Sequence, residues 1–162
     1  MLLFITATKA QSTDSIKYLI TEARINSEDY SQFYYEGGQF LKFYENENKE
    51  LCLLNSESSK ENFSFGKVYG FKTEDVEIEN CPADNITFRW NYHNSYDSDS
   101  GYAIVQLKRI YRKNGVEFYI KILSKKLDII EFSGFTNENL LEIKDEEENN
   151  FRKNGYLNTT FL

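Results

Sequence analysis

The chain has few of the residues on which catalytic and metal sites most often depend. Its 162 residues include one histidine, two cysteines, one tryptophan and one proline. No C-x-x-C spacing of a redox or zinc site occurs, and no G-x-S-x-G segment supplies a serine nucleophile. Cys52 and Cys81 form at most one disulfide, and Cys52, inside an apolar run, also suits a buried hydrophobic position. The sequence therefore predicts no enzyme activity, no catalytic residues, no metal and no cofactor.

Long apolar runs are missing as well, because no run reaches the length of a membrane span. The opening segment is short and apolar and ends in small residues at Thr8 and Ala10, like the end of a secretory signal without its positive start. We expect residues 1–10 to be a truncated signal segment and residues 11–162 to form a single β-rich domain that is periplasmic or secreted. An ordinary start of a strand or helix, with a cytoplasmic location, is the alternative.

Charge and aromatic content narrow the class of partner. The formal net charge is -7, and a nucleic-acid binder needs a basic surface to contact phosphates. Tyrosine and phenylalanine number 12 and 13, which brings aromatics to 16% of the chain. Such side chains favour half-buried sheet surfaces and can also form a binding face. These numbers favour an acidic β protein that does not bind nucleic acid.

Residues 86–124 carry the clearest structural pattern. Between 86 and 92, apolar and polar side chains alternate with the period of two of a half-buried strand. Further along, two alternating segments, 102–113 and 116–124, flank Asn114-Gly115, a dipeptide typical of a two-residue hairpin turn. Five other short segments, at 40–45, 50–55, 63–71, 76–78 and 127–135, read as strands separated by turn residues. About eight strands at this spacing predict a sandwich or a barrel.

Two segments favour helix instead. Ile16, Leu19, Ile20 and Ala23 recur at the spacing of one helical face, which predicts an N-terminal helix that ends near Ile25. An acidic first turn and a basic last turn predict a short C-terminal helix over residues 139–153. The expected fold is mainly β: an antiparallel meander that forms a sandwich or partly closed barrel, with an N-terminal α-helix and a short C-terminal helix.

The predicted hairpin also yields a candidate partner-binding surface. With Asn114-Gly115 as the turn, one face collects core residues with Arg109 among them, and the other face is basic with a tyrosine in its middle. Residues 108–126 contain seven lysines and arginines against one glutamate, which could steer an acidic partner. A solvated strand face guarded by lysine is the alternative. The predicted partner-binding residues are Lys108, Ile110, Arg112, Tyr119 and Lys121.

A second surface suggests a small-ligand carrier. In the segment 63–71 aromatics take the odd positions and glycines two even ones, so one face is bulky and the other nearly bare, as at a bulge or bend. Gly38-Gln39-Phe40, after a predicted helix and before a strand meander, resembles the lipocalin opening, with Phe40 where that family has tryptophan. The resemblance implies a barrel around an apolar ligand. The predicted ligand-binding residues are Phe63, Phe65, Tyr69 and Phe71.

The functional expectation combines these points. We expect an exported, non-catalytic protein that recognises another protein, for example an immunity, inhibitor or envelope interaction protein. A carrier of a small apolar ligand in a lipocalin-like barrel is the alternative. An enzyme would need His93 near carboxylates in a cleft.

Overall fold

A computed structural model of the protein describes residues 16–126 and 128–136. Nine strands and one short helix occupy this part of the chain. The predicted signal segment and the predicted C-terminal helix lie outside the described residues. The elements are β1 (Lys17–Ile25), β2 (Glu28–Asp29), α1 (Ser31–Glu36), β3 (Phe40–Glu45), β4 (Leu51–Ser56), β5 (Phe63–Ile78), β6 (Cys81–Asn94), β7 (Ser100–Arg112), β8 (Gly115–Ser124) and β9 (Ile129–Thr136).

The strands form one closed antiparallel barrel. From β3 to β9 each strand pairs with the next along the chain, and β1 pairs with both β3 and β9, which closes a barrel of eight strands. The two-residue strand β2 adds to β1 outside this ring. The predicted antiparallel meander is therefore confirmed. Closure pairs the first and last strands with each other instead of leaving them as edges.

The prediction of an N-terminal helix that ends near Ile25 is wrong, because residues 17–25 form the strand β1. Tyr18, Ile20 and Ala23 point inward, whereas Leu19 is 41% exposed. The register against β9 shifts between Ile20 and Glu22, so Thr21 is an extra residue in the strand. Because of this bulge, the inward residues Ile20 and Ala23 are three positions apart in the sequence instead of two. The apolar positions therefore have the spacing of a helical face.

Closure of the barrel at this bulge requires a glycine on the facing strand. A Cβ atom on Gly134 would lie 1.9 Å from the Leu19 carbonyl oxygen and 3.1 Å from the Thr21 nitrogen. Both atoms belong to the backbone, so they cannot rotate away. β9 can therefore approach β1 this closely because Gly134 has no side chain.

We expect Gly134→Ala to lower the free energy of unfolding by about 1–3 kcal/mol, because the added methyl group forces the β1 and β9 backbones apart. Urea denaturation monitored by tryptophan fluorescence measures the change. Phe135→Ala is the control, since this neighbouring side chain is 53% exposed and its truncation should change stability by about 0.5 kcal/mol or less. An unchanged stability in Gly134→Ala would contradict the close approach of the two strands.

The β7–β8 hairpin is confirmed, with a shifted turn. Arg112 lies opposite Gly115, so the two loop residues are Lys113 and Asn114 and not Asn114 and Gly115. Gly115, with φ 144°, supplies the unusual backbone conformation at the first residue of β8. Compared with the predicted hairpin, each residue of β7 faces a residue of β8 that lies two positions earlier in the sequence. Because side chains alternate with period two, this shift leaves the assignment of inner and outer faces unchanged.

Strand β5 contains a bulge that divides its aromatic residues between two faces. Gly70 has φ 67°, and the register against β6 shifts between Tyr69 and Lys72. Before the bulge the inward residues are at even positions, and after it Phe71 points inward. The segments predicted separately at 63–71 and 76–78 are thus one strand of 16 residues.

Aromatic and aliphatic side chains occupy the barrel interior. Phe88 stacks on Phe71 at 5.1 Å between ring centres, and Tyr18 meets Phe118 edge to face at 5.3 Å. Helix α1 lies at the end of the barrel where β1 leads into β3, and its Tyr34 packs on Phe132 at 5.2 Å. The buried core residues are Tyr18, Ile20, Ala23, Leu41, Leu53, Val68, Phe71, Ile86, Phe88, Trp90, Ala103, Val105, Leu107, Phe118, Ile120, Ile122 and Phe132.

The two cysteines are free thiols. Cys52 lies opposite Lys67 on β5, and Cys81 lies opposite Ile78 near the end of the same strand. At about 3.3 Å per residue these positions are some 30 Å apart or more, whereas a disulfide spans Cα atoms at up to about 7 Å. Cys52 is 3% exposed, and burial raises the pKa of its thiol. It occupies a small hydrophobic position, as its apolar neighbours indicate.

A candidate binding groove on the outer face of the barrel

Two rows of polar side chains cross the outside of strands β6, β7, β8, β9 and β1. Within each row, every residue lies opposite the next one in the strand register. The first row is Asn85, Lys108, Tyr119, Ser133 and Glu22. The second row is Thr87, Gln106, Lys121, Glu131 and Arg24. The rows are the product of period-two alternation on five strands in a common register.

These rows line a groove of about 650 Å³. The residues between the two rows have buried side chains, so mainly their backbone forms the floor of the groove. These residues are Ile86, Leu107, Ile120, Phe132 and Ala23. Outward residues on one strand are about 7 Å apart and neighbouring strands about 4.8 Å, so the groove is roughly 7 Å wide and 19 Å long. A groove of this size matches an extended peptide segment of about six residues.

Both signs of charge face the groove. Lys121 Nζ lies 3.4 Å from Glu131 Oε1, and Ser133 Oγ donates a hydrogen bond to Glu22 Oε2 at 3.1 Å. Lys108 is exposed and has no ion pair with the described residues. Mixed charges with amides and hydroxyls provide donors and acceptors for a polar partner.

Tyr119 stands in the middle of the first row and is 43% exposed. Its hydroxyl donates to Glu117 Oε1, and this hydrogen bond, with some burial, raises the pKa of Tyr119. Glu117 also accepts from Arg112 Nε, and the two donors lower the pKa of the Glu117 carboxyl. The ring is thus held in place by its hydroxyl while one face remains open to solvent. A fixed aromatic side chain loses little conformational entropy when a partner binds.

The structure gathers three of the five predicted partner-binding residues. Lys108, Tyr119 and Lys121 line the groove. Ile110 is only 3% exposed and does not line the groove, so its side chain offers almost no surface to a partner. Arg112 lies outside the groove lining, with Glu117 and Glu79 both accepting hydrogen bonds from its guanidinium.

The basic character expected for residues 108–126 is mostly neutralised. Four of the seven cations pair with carboxylates that come from neighbouring strands and loops or lie across the hairpin. The pairs are Arg109 with Asp84, Arg112 with Glu79 and Glu117, Lys121 with Glu131, and Lys126 with Asp99. A count along the sequence misses these partners because it does not include strands brought together by the fold.

Arg109, the one charged residue on the predicted core face of the hairpin, is indeed inside the barrel and 5% exposed. Its Nε and Nη2 donate to the two oxygens of Asp84 at 2.9 and 2.6 Å, and Tyr111 donates to Asp84 at 3.0 Å. Tyr18 lies 3.4 Å from Arg109 Nη1, and burial raises the pKa of Tyr18 to about 12 although Arg109 opposes this effect. The cluster is a buried, satisfied polar network.

The predicted ligand-binding set does not come together on one face. Phe65 and Tyr69 point outward and are each 36% exposed, whereas Phe71 is 3% exposed inside the barrel. The bulge at Gly70 causes this split. Phe63 contacts Phe65 at 5.7 Å between ring centres, on the outer side. Gly38-Gln39-Phe40 leads into β3, the second strand of the barrel, and not the first as in the resemblance to lipocalins.

The lone histidine lies at the end of the β6–β7 hairpin. His93 Nδ1 is 2.7 Å from Ser100 Oγ, and its ring meets Phe65 edge to face at 5.6 Å. Across residues 16–126 and 128–136, no three histidine, cysteine, aspartate or glutamate side chains converge as a metal site would require. The described neighbours of His93 are therefore a hydroxyl and an aromatic ring.

Comparison of the chain with family models, with curated proteins and with solved structures finds no match in any of the three. Within the described residues, no helix has the length and apolar character needed to span a membrane. The groove is therefore interpreted from its own geometry.

Proposed function

We propose that this protein is an exported, non-catalytic binding protein that recognises another protein through the groove on β6–β9 and β1. The observation that carries the proposal is the double row of polar side chains with Tyr119 at its centre. Export is part of the proposal, and the short apolar opening segment with small residues at Thr8 and Ala10 supports it. The partner segment lies across the strands in extended form, where side chains of both signs can pair with it.

Two further observations support binding at the outside of the barrel. Core side chains such as Phe88, Phe118 and Trp90 occupy the interior, where a small-ligand carrier would hold its ligand. Large aromatics are instead exposed at several outer positions, as expected for a protein that contacts other proteins. These observations favour a protein partner over the alternative of an apolar ligand.

We expect the variant Lys108→Glu/Tyr119→Ala to lose affinity for the natural partner by roughly 30-fold or more, since central tyrosines contribute most to such interfaces. The partner is first captured on the immobilised wild-type chain, and its Kd is then measured for each variant by surface plasmon resonance.

The matched control is Lys113→Glu/Tyr102→Ala. Lys113 is an exposed cation at the tip of the same hairpin, and Tyr102 is a 54% exposed tyrosine on β7, and neither lines the groove. The control carries the same changes in charge and aromatic content. Equal losses of affinity in both variants, or no loss in either, would remove the groove as the recognition site.

A further inference from the structure

The end of the barrel that carries α1 exposes several aromatic side chains. Phe33 is 70% exposed, Tyr35 66% and Tyr96 60%, and Tyr30 follows at 39%. Neither the core nor the groove uses these residues. A group of exposed aromatic rings costs free energy in water and marks an interaction surface.

The rings are held on a fixed support. Tyr34, between Phe33 and Tyr35, packs on Phe132 of the barrel, and Phe33 meets Tyr34 edge to face at 5.7 Å. After the helix, the Gly37 carbonyl accepts a hydrogen bond from the Ser58 nitrogen at 3.1 Å. Burial raises the pKa of Tyr34, and Tyr96 of the β6–β7 loop and Tyr30 add to this effect. Such a surface is ordered before a partner arrives.

Carboxylates lie on α1 and just before it. Residues 25–41 contain Glu28, Asp29 and Glu36 and no lysine or arginine. Glu28 accepts a hydrogen bond from the Tyr30 hydroxyl at 3.0 Å, and Glu36 accepts one from Gln32 at 2.9 Å. None of these carboxylates forms an ion pair with a described residue, although Arg24 lies opposite Asp29 in the β1–β2 pair. The Tyr30 ring thus lies beside the Glu28 carboxylate, and Glu36 follows Phe33 by three residues on α1, the spacing of one helical face.

We infer that this α1 surface, formed by Glu28, Tyr30, Phe33, Tyr35, Glu36 and Tyr96, binds an arginine-rich segment of a partner protein. A guanidinium group stacks on aromatic faces and pairs with carboxylates through two parallel hydrogen bonds, which uses both features of the surface. A lysine ammonium cannot form the stacked, two-point contact. An anionic membrane or a nucleic acid is repelled by the same carboxylates.

The test compares an oligo-arginine peptide with an oligo-lysine peptide of equal length, both by isothermal titration calorimetry with the full chain at physiological salt. We expect oligo-arginine to bind about ten-fold more tightly, because only arginine stacks on the rings. Phe33→Ala/Tyr35→Ala should lower the affinity for oligo-arginine more than the affinity for oligo-lysine, and so remove this preference. Glu28→Gln/Glu36→Gln should weaken both peptides.

Phe135→Ala, which removes an exposed aromatic side chain from β9, is the control and should keep the preference. Equal affinities of the two peptides for the wild type would mean only general attraction to an acidic protein and would overturn the inference. Self-association that Phe33→Ala abolishes would assign the surface to a second copy and overturn it as well. Lys108→Glu/Tyr119→Ala should bind oligo-arginine as the wild type does, so failure of the groove and failure of the α1 surface are distinguishable.

Discussion

Replacing Arg109 with methionine is expected to lower the free energy of unfolding by about 3–5 kcal/mol, because Asp84 is left as an unpaired charge inside the barrel. Asp84 is 6% exposed and receives both hydrogen bonds of the guanidinium fork. Methionine keeps most of the volume of the arginine side chain, so the loss of stability results mainly from the missing positive charge. Denaturant unfolding monitored by circular dichroism measures it.

The double variant Asp84→Leu/Arg109→Met distinguishes the contribution of the ion pair to stability from that of the packing around it. Removing both charges together leaves no unpaired ion, so the double variant should be more stable than Arg109→Met alone by about 2 kcal/mol or more. If the stability losses of Asp84→Leu and Arg109→Met simply added up in the double variant, the two side chains would not interact. Such additivity would also contradict the register that sets Asp84 opposite Arg109 on β6 and β7.

Phe88→Ala is expected to cost about 3–5 kcal/mol, because the ring is buried among other rings and its removal leaves a cavity. Phe88 is 1% exposed, stacks on Phe71 and meets Phe43 edge to face at 5.6 Å. The cavity should be apolar, so the variant should bind a small molecule such as benzene that the wild type does not bind. Thermal unfolding with and without benzene measures both effects.

Tyr102→Ala is the control for Phe88→Ala, since Tyr102 is exposed and its loss should change stability by about 0.5 kcal/mol or less. The same experiment bears on the alternative of an apolar-ligand carrier. Stabilisation of the wild type by benzene to the extent seen in Phe88→Ala would show an existing internal space and would favour the carrier.

The sequence predicted the parts of the fold in which alternation is uninterrupted. In β6, β7 and β8 each inward residue follows the last by two, and the core faces of these strands were assigned correctly, with Arg109 among them. The groove residues Lys108, Tyr119 and Lys121 followed from the same alternation. Their position on one face was predictable because the two strands of a hairpin pair with each other, whatever the rest of the chain does.

The errors lie where an extra residue interrupts the alternation. A bulge at Thr21 made β1 resemble a helix, and a bulge at Gly70 moved Phe71 away from Phe65 and Tyr69. In both cases local spacing alone cannot reveal the bulge, although the β-branched and aromatic residues of β1 favour a strand.

The partners of the hairpin cations were missed for a different reason. Asp84 precedes the alternating segment predicted at 86–92, yet it shares its parity with Ile86 and Phe88 and continues the same inward face. Extending that alternation by one step would have identified the partner of Arg109. Glu131, the partner of Lys121, comes from β9, and only the register between β8 and β9 shows it.

Site-specific photo-cross-linking shows directly whether the outer groove is the recognition surface. A benzophenone amino acid replaces Tyr119 in one protein and Tyr102 in another, and each is irradiated in the presence of the captured partner. We expect a cross-linked complex from position 119 and none from position 102. A cross-link from position 102 alone would contradict this expectation, because the partner would then contact the barrel outside the groove.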